Sequence, residues 1–341
     1  MHVDEYFTLN LVKYDLGFII WKSLTTDCNP PLFYIIDHFS VMLFGADQVG
    51  QRLPSVIFGI LLIPAVYWFG KEYRDENLGV LAAAAMATMG SMWYYSGFGR
   101  SYMLNCLLFT LFCVFYLRIT RNNDSTKNWC GLTLLTILLA YSHLYTLIPS
   151  GILWLYLLYM KAERTITFGA IAGLALTPLY LLFQAILKER TVSRAVAKTA
   201  WNWYGITWDQ ILIWTPLEFF GFTSFIWIPL IVYGIWKKRS EPFVVMIALA
   251  FLSAYAGLIL LSDTTPVFIR YVILFLPVLC TIGLTVILEF IEDDSSSLPK
   301  ELRLRFMLLL LIIYIICTAA PFITGFYMAK GQLSPTGIVL I

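Results

Sequence analysis

Charged residues are scarce in this chain. Asp, Glu, Lys and Arg make up 13% of its 341 residues, while 60% are apolar and the mean hydropathy is +0.77. A soluble domain draws about 25% of its residues from these four types to cover its surface. The shortage excludes a soluble globule of this size, and we expect no nucleic-acid partner. The net charge of +2 carries little information for a membrane protein.

Cysteine and histidine are also sparse. Neither a disulfide framework nor a thiolate zinc site is indicated, because no Cys-x-x-Cys pair occurs and only Cys28 lies in an external segment. Of the three histidines, His143 lies in the segment AYSHLYT, in a predicted tight turn between two spans. It is either a structural turn residue or part of a functional site, and its spacing does not decide between the two.

Long apolar runs fill most of the chain. A bilayer core of about 30 Å requires runs of about 20 residues, in which every backbone N–H and C=O is satisfied within the helix. None of the runs carries a charge near its middle. The sequence therefore predicts an all-α, polytopic transmembrane helical bundle of about ten spans. These spans are 53–70, 78–96, 102–119, 129–143, 145–160, 166–187, 219–236, 242–262, 267–290 and 305–328.

The spans divide the chain into three parts. Residues 1–52 are predicted to form an extracytoplasmic loop with an Asp-Glu pair and with interfacial helices, one of them at 31–44. Residues 53–328 form the transmembrane bundle, which includes an extracytoplasmic interfacial segment at 188–218. Residues 329–341 form a short C-terminal tail. Because the bundle interior lacks charge, we expect functional groups in the loops.

Basic residues indicate the orientation of the chain. More than half of its 23 Lys and Arg residues lie in loops that the positive-inside rule makes cytoplasmic. Alternation then places 1–52, 97–101 and 263–266 outside the cytoplasm, in an integral protein of the plasma membrane. No apolar span precedes residues 1–52 to carry them across, so we expect Met1 to be an internal methionine that follows a first transmembrane helix. The cytoplasmic loops are 71–77, 118–128, 161–165, 237–241 and 291–305.

Ionisable residues beside membrane ends gather on the predicted outer face. They are Asp4, Glu5, Asp27, Arg52, Arg100, His143 and Arg270. A shallow site that joins carboxylates to arginines at the lipid boundary suits a substrate with an anionic head and an apolar tail. A lipid-linked phosphate fits that description.

Only one carboxylate of the Asp-Glu pair near the start of the chain can contact a given substrate atom or metal ion. Neighbouring residues point about 100° apart on a helix, so Asp4 and Glu5 cannot both approach an atom from the same side. One would act as a base or metal ligand while the other holds the loop. The alternative is a solvated acidic turn.

Two arginines stand at the outer ends of spans. Taken singly, Arg100 and Arg270 are typical of interfacial anchors. Together they could hold a phosphodiester, because the planar guanidinium binds phosphate oxygens in a bidentate manner and stays charged. Such a pair would also stabilise the dianion that forms as the phosphate leaves.

The segment 188–218 combines basic and aromatic residues. Arg190, Arg194 and Lys198 recur at every fourth position and form one helical stripe, which indicates an anionic partner such as lipid phosphate. The aromatic residues that follow are either an interfacial belt or a lid over the site. They are Trp201, Trp203, Tyr204, Trp208 and Trp214.

An ordered set of motifs gives a family resemblance over about residues 1–160 and 263–285. The chain resembles the membrane glycosyltransferases of the GT-C type, in particular the dolichyl-phosphate-mannose mannosyltransferase-like and aminoarabinose-transferase-like branch. Each motif is weak alone, while their order is fairly specific. The motifs are VDEYFTL, DCNPPLFYIIDHFSVMLFG, RLPSVIFGILLIPAVYWFG, WYYSGFGRSYML, AYSHLYTL and VFIRYVILFLPVL.

The resemblance implies a mechanism and a set of site residues. It implies an external acid at Asp4, which acts on the acceptor or on a bound divalent cation, and a polyprenyl-phosphate sugar donor that reacts with inversion at the sugar carbon. We therefore assign catalysis to Asp4 and Glu5. The residues assigned to substrate binding are Arg52, Arg100, Tyr102, His143, Arg270 and Tyr271.

The chain departs from the family pattern just before Arg100. Relatives often carry an acid there, whereas this chain reads Gly97-Phe98-Gly99-Arg100. Either another acid takes that role, Asp27 being nearest by position in the external segment, or metal binding and catalysis differ. A divalent metal ion held by Asp4 and Asp27 is the one cofactor that the resemblance brings into consideration.

The sequence thus predicts a cell-envelope glycosyltransferase that moves a sugar from a polyprenyl-phosphate donor to an extracytoplasmic protein, lipid or glycan. Its expected partners are that donor, membrane lipids and the acceptor. Two other functions stay open: a lipid or sugar transporter or flippase, and a non-catalytic membrane assembly subunit. A transporter is expected to carry ionisable groups or broken helices near the bilayer centre, and neither is evident in this sequence.

Overall fold

The computed structural model describes residues 3–25, 29–180, 184, 208–262, 269–292, 299, 301–303, 305, 309 and 312–314. Regular structure in these residues is helical throughout, as predicted for an all-α membrane bundle. The helices used below are α1 (Val3–Leu11), α2 (Leu16–Thr25), α3 (Leu32–Phe44), α4 (Gln48–Tyr73), α5 (Glu76–Thr88), α6 (Gly90–Ser96), α7 (Tyr102–Thr120), α8 (Thr126–Ser142), α9 (Leu147–Met160), α10 (Ala162–Leu176), α11 (Trp208–Phe220), α12 (Ser224–Lys237), α13 (Pro242–Ser262) and α14 (Leu276–Glu292).

Four stretches in the described part of the chain are long and apolar enough to cross a membrane. They are α4, α7, most of α13, and Ile269–Glu292, in which a 3-10 helix leads into α14. A fifth arises if Trp214–Phe220 and α12, which meet at 103°, form one broken span. The predicted total of about ten spans stays a prediction.

Two predicted spans differ from the helices observed. The span predicted at 78–96 is interrupted at Met89, whose ψ of 122° is extended, so that α5 ends and α6 begins there. The indole nitrogen of Trp93 donates to the Ala87 carbonyl at 2.6 Å and satisfies a group that the break exposes. Helix α10 ends at Leu176, before the predicted limit of 166–187.

Several predicted segments lie outside the described residues. They include Asp27, the basic stripe at 190–198, the aromatic residues at 201–204, most of the span at 305–328 and the tail at 329–341.

Helix α7 forms the centre of the bundle. Every residue from Tyr102 to Thr110 is buried, so this helix is enclosed on all sides. It packs against α4, α8 and the 3-10 helix Ile269–Phe275. Arg100 lies just before α7 and is therefore at the middle of one end of the bundle.

Glycines let two of the spanning helices touch other helices closely. A Cβ atom added to Gly70 of α4 would lie 2.8 Å from the Cα of Gly79 in α5. A Cβ added to Gly234 of α12 would lie 3.0 Å from the Cα of Gly283 in α14. Close backbone approach at small residues is a common way to pack membrane helices, and it fixes the positions of α4 and α14.

Helices α1, α2 and α3 form a layer over the end of the bundle where α4 and α7 begin. Helix α3, predicted at 31–44, packs on α2, α4 and α8. The outer side of the layer exposes large apolar side chains such as Phe7, Met42 and Leu43, which suits contact with lipid. Asp37, a polar residue on which the prediction of a surface helix partly rested, is instead fully buried on the inner side.

Candidate active site

Asp4 and Arg270 meet at the end of the bundle, although 265 residues separate them in the chain. An Arg270 Nη atom donates to the Asp4 carboxylate at 2.6 Å. The guanidinium also lies over two aromatic rings, 5.4 Å from the ring centroid of Tyr102 and 5.8 Å from that of Phe98. With 28% of its side chain exposed, Asp4 is the more accessible of the two charged partners, because Arg270 exposes 12%.

Glu5 points away from Asp4 and is fully buried. Arg52, near the start of α4, donates Nε and Nη2 to the two Glu5 carboxylate oxygens, each at 2.8 Å. The backbone N–H of Gly99 donates to the same carboxylate at 2.9 Å. Glu5 therefore joins α1 to both α4 and the loop that precedes α7.

The Gly99 position leaves no room for a side chain. A Cβ there would lie 2.9 Å from Cγ of Gln51. Gln51 itself donates from Nε2 to the Glu5 carbonyl at 2.6 Å, so it is held in place. Glycine at this position is what lets the loop approach the Asp-Glu helix and direct its N–H at the carboxylate.

Arg100 is bound differently from the other two arginines of the site. Its Nη1 donates to the Thr8 hydroxyl at 2.7 Å and reaches the Tyr34 hydroxyl at 3.5 Å. Among the described residues no carboxylate lies within ion-pair distance of it. Burial lowers the pKa of Arg100, but nearby groups, including Tyr34, Tyr102 and Asp4, raise it further, so the guanidinium stays cationic.

His143 joins the cluster from the end of α8. Its Nδ1 accepts the backbone N–H of Tyr145 at 3.2 Å, and its ring lies 4.6 Å from the ring of Tyr271. Burial and the positive charges of Arg100 and Arg270 lower the pKa of His143 to about 3. The imidazole is therefore neutral at physiological pH, and its proton is on Nε2 because Nδ1 is an acceptor.

All the predicted site residues that the structure describes lie at one end of the bundle. Arg270 links Asp4 to Tyr102, Glu5 links Arg52 to the loop before Arg100, and Tyr271 contacts His143. Asp27 lies outside the described residues. The predicted roles of these residues stay predictions.

Sequence reasoning missed five polar residues of this region. Thr8 and Tyr34 hold Arg100, Asp37 is buried nearby, and the Tyr95 hydroxyl donates to Glu218 of α11. Thr8 follows Asp4 by one helical turn, and Asp37 follows Tyr34 by three residues, so helical spacing was a usable signal for both. No comparable signal linked Glu218, which lies on a distant part of the chain.

The described residues do not form a metal site. They contain no group of three or more His, Cys, Asp or Glu side chains placed to hold an ion. Asp4 faces Arg270, and Glu5 faces Arg52 and the Gly99 N–H, so both carboxylates point at hydrogen-bond donors. We derive no chemical step through a metal ion.

Solved structures of two membrane proteins share this fold. Apo ArnT from Cupriavidus metallidurans aligns over 98% of this chain and 66% of its own, with a TM-score of 0.60 and 12% identity. ArnT bound to undecaprenyl phosphate aligns over 91% and 63%, with a TM-score of 0.55 and 12% identity. Archaeoglobus fulgidus AglB, an archaeal oligosaccharyltransferase in complex with an inhibitory peptide and a dolichol-phosphate, aligns over 92% and 51%, with a TM-score of 0.56 and 14% identity.

The chain therefore spans between half and two thirds of the length of these proteins. No curated protein matches its sequence. At these identities the likeness shows that the chain shares their fold, an all-α membrane bundle. Residues 28–187 also match the family model described as dolichyl-phosphate-mannose-protein mannosyltransferase. This match and the shared fold agree with the resemblance to the GT-C type of membrane glycosyltransferases that the motifs of the chain predicted.

Proposed function

We propose that this protein transfers a glycosyl group from a polyprenyl-phosphate donor to an acceptor at the end of the bundle covered by α1–α3. The observation that carries the proposal is the contact of Asp4 with Arg270, beside a second guanidinium, Arg100, that no carboxylate of the described residues neutralises. Undecaprenyl phosphate and dolichol-phosphate bound to proteins of the same fold support a donor of this class.

The two arginines would hold the donor phosphate. Arg100 is held by neutral hydroxyls only, so its charge is available to an anion. Arg270 would exchange the Asp4 carboxylate for a phosphate oxygen, and this exchange would release Asp4 toward the acceptor. An arginine that meets growing negative charge during the reaction stabilises the transition state more than the ground state.

Asp4 would act as the general base. Its carboxylate takes the proton from an acceptor hydroxyl or amine, and the acceptor atom forms a bond to the anomeric carbon. The bond from that carbon to the phosphate oxygen breaks on the opposite side, which inverts the configuration. The lipid phosphate leaves with its second negative charge beside the arginines, and the proton remains on Asp4 until solvent removes it.

Glu5 and Arg52 would position the site without contacting substrate. Glu5 already accepts three hydrogen bonds, and the two Arg52 donors are directed at it. Their pairing holds α1 against α4 and sets the distance between Asp4 and the arginines. This proposal replaces the expectation that Glu5 is catalytic and that Arg52 binds substrate.

An apolar groove beside the site would take the lipid tail of the donor. The groove has a volume of about 310 Å³ and lies between α2, α3 and α8. Helix α3 connects the two places, because Tyr34 contacts Arg100 while Leu32 and Ile35 line the groove. A ligand with an anionic head and an apolar tail matches that arrangement.

The proposal also includes the side of the membrane on which the site lies and the sugar that is transferred. The distribution of Lys and Arg supports an extracytoplasmic site in the plasma membrane. The match to a mannosyltransferase family model makes polyprenyl-phosphate mannose the first donor to try, with a protein, lipid or glycan as acceptor.

Transfer of labelled sugar from polyprenyl-phosphate donors tests the proposal. We expect Asp4→Asn to lower the transfer rate by about 10²–10⁴-fold, which is the usual contribution of a general base. The matched control is Asp124→Asn, which changes an aspartate between α7 and α8 that bonds to Trp129. Undiminished transfer by Asp4→Asn would refute the base assignment, and absence of transfer from every donor would refute the activity.

A further inference from the structure

Helix α3 buries a carboxylic acid that the proposed mechanism does not use. Asp37 has 0% of its surface exposed, and neither of its carboxylate oxygens has a hydrogen-bond partner among the described residues. A charged carboxylate in that situation would lose its hydration without compensation. The uncharged acid is therefore the stable form in this structure.

The position of Asp37 in α3 places it on the side that faces Arg100. Tyr34, three residues earlier on the same helical face, reaches Arg100 with its hydroxyl at 3.5 Å. Ser40, three residues later, donates to the Gly50 carbonyl of α4 at 2.5 Å. Asp37 lies between these two contacts, at the boundary of α3, α4 and the loop before α7.

Few charged groups surround Asp37. Burial raises its pKa to about 8, the positive charge of Arg100 lowers it, and Glu5 raises it. Arg52 of α4 is paired with Glu5, and α8 contributes the neutral His143 at its end. The other ionisable residues toward this end of the packed elements are Lys22 of α2, which lies over the Phe18 ring, Tyr34 and His38 of α3, and Tyr141 of α8, which donates to the Ala175 carbonyl. The remaining ionisable residues of α4 and α8 lie toward the opposite ends of those helices.

We propose that Asp37 is a positioning residue for Arg100 that, as a neutral acid, leaves the guanidinium available to an anionic ligand and, as a carboxylate, competes with that ligand. The inference rests on the proposed function, in which the ligand is the donor phosphate. In this proposal the donor phosphate binds Arg100 when Asp37 is protonated, and the Asp37 carboxylate weakens that binding when it is ionised.

Linkage gives the expected size and direction of the effect. A phosphate on Arg100 would offset the positive charge that favours ionised Asp37, so ligand binding and protonation of Asp37 support each other. Above pH 8, ligand binding must take up a proton, and affinity then falls by up to about tenfold per pH unit. Below pH 7 the affinity should not depend on pH through this group.

The test measures binding of methyl farnesyl phosphate to the purified full chain between pH 6 and pH 9.5. This phosphodiester has an apolar tail and a single negative charge that does not titrate in the range. We expect wild-type affinity to be constant up to pH 7 and to fall by about tenfold or more by pH 9.5. Asp37→Asn, which is permanently neutral and of the same shape, should bind as tightly as the wild type at pH 7 and stay within about twofold at pH 9.5.

The matched control is Asp15→Asn, which removes an exposed aspartate from the same layer of helices and should keep the wild-type pH profile. A fall in Asp37→Asn equal to that of the wild type would overturn the proposal, as would markedly weaker binding at pH 7. Binding of the wild type with no pH dependence would overturn it while leaving the proposed function intact. No binding at any pH would overturn both.

A second measurement uses the wild type alone, in case Asp37→Asn does not fold. Infrared difference spectra between pH 7 and pH 9.5 should show loss of the carbonyl band of a protonated carboxylic acid. Bound methyl farnesyl phosphate should move that loss to higher pH. Absence of the band at pH 7 would overturn the proposal.

Discussion

The two ends of the bundle hold their charged residues in different ways. At the site end, Glu5 is fully buried against Arg52, and Arg270 is mostly buried against Asp4. At the other end, the pairs are partly exposed. They include Glu72–Arg118 at 2.6 Å, Glu289–Lys237 and Glu289–Lys238 at 2.7 Å, and Asp124–Lys161 at 3.5 Å.

The same helices connect both ends. Helix α4 carries Arg52 near its start and Glu72 near its end, about 30 Å apart along the axis. Helix α7 follows Arg100 and carries Arg118, and the stretch Ile269–Glu292 carries Arg270 and Glu289. Both ends thus carry arginines or lysines paired with carboxylates. The difference is that α1–α3 cover the charged residues at the site end, whereas the pairs at the other end are partly exposed.

That difference separates structural from functional charge. Exposed ion pairs contribute about 0–1 kcal/mol to stability, because water competes for both partners. Buried charges lose hydration and are retained where they do chemistry or specify one arrangement. Among the described residues, ion pairs with a largely buried partner lie at the site end, whereas the buried Arg303 at the other end donates to the Phe290 carbonyl. The proposed reaction is therefore assigned to the site end.

The largest expected contrast uses two arginines at opposite ends of α7. Arg100→Lys should lower kcat/KM for sugar transfer by about 10²–10³-fold, since a lysine cannot supply the planar fork and loses the contacts to Thr8 and Tyr34. Arg118→Lys, at the Glu72 pair, should leave transfer within about twofold. Steady-state assays with varied donor measure both, and equal losses would remove the distinction between the two ends.

A smaller contrast concerns stability. Glu5→Gln keeps the side-chain shape but removes the charge from three hydrogen bonds, and should lower the free energy of unfolding by about 1.5–3 kcal/mol. Glu72→Gln, at the exposed pair with Arg118, should lower it by less than about 1 kcal/mol. Thermal unfolding in one detergent compares them. A larger loss of stability for Glu72→Gln than for Glu5→Gln would show that burial does not determine how much these ion pairs stabilise the fold.

The smallest contrast is a dependence on pH just below neutrality at the site end, where the two histidines that the structure describes, His38 and His143, lie. The pKa of His143 is about 3 in the folded chain, below its ordinary value of 6.5. Its contribution to stability is therefore complete above pH 6.5 and is lost as the pH falls from 6.5 toward 3, because the unfolded chain takes up the proton first.

We expect His143→Gln to reduce the acid-induced loss of stability by up to about 2 kcal/mol between pH 6.5 and pH 5. Unfolding temperatures over this range measure it, with His38→Gln on α3 as the control for replacing a histidine of the same layer. Parallel curves for wild type and His143→Gln would show that His143 takes up its proton equally well in both states.

Much of the fold followed from local pattern. The span predicted at 102–119 corresponds to α7, and that at 242–262 coincides with α13, because long apolar runs flanked by polar residues have one stable form in lipid. The break at Met89 was not predictable in the same way. No proline marks it, and it depends on a hydrogen bond from Trp93 that exists only in the folded chain.

The gathering of the site residues at one end of the bundle was predictable, but their contacts were not. The order of the predicted spans brought Asp4, Arg100 and Arg270 to one end, and the structure has them there. That Arg270 binds Asp4, while Arg100 binds Thr8, depends on how α1 lies across the bundle, and no spacing in the sequence encodes it. The burial of Asp37 was likewise not predictable, because a single acid in an apolar helix is as typical of a helix on a membrane surface as of a buried one.

The link from Gly99 to Glu5 has a consequence for how this protein should be dissected. The donor is a peptide N–H, which every L-amino acid except proline retains. Alanine scanning would therefore leave this hydrogen-bond donor in place. Replacing that one amide by an ester through chemical ligation would delete the donor while adding no atoms beside Gln51. The geometry of this loop thus depends on a main-chain group, which genetic substitution alters only through proline or by crowding Gln51.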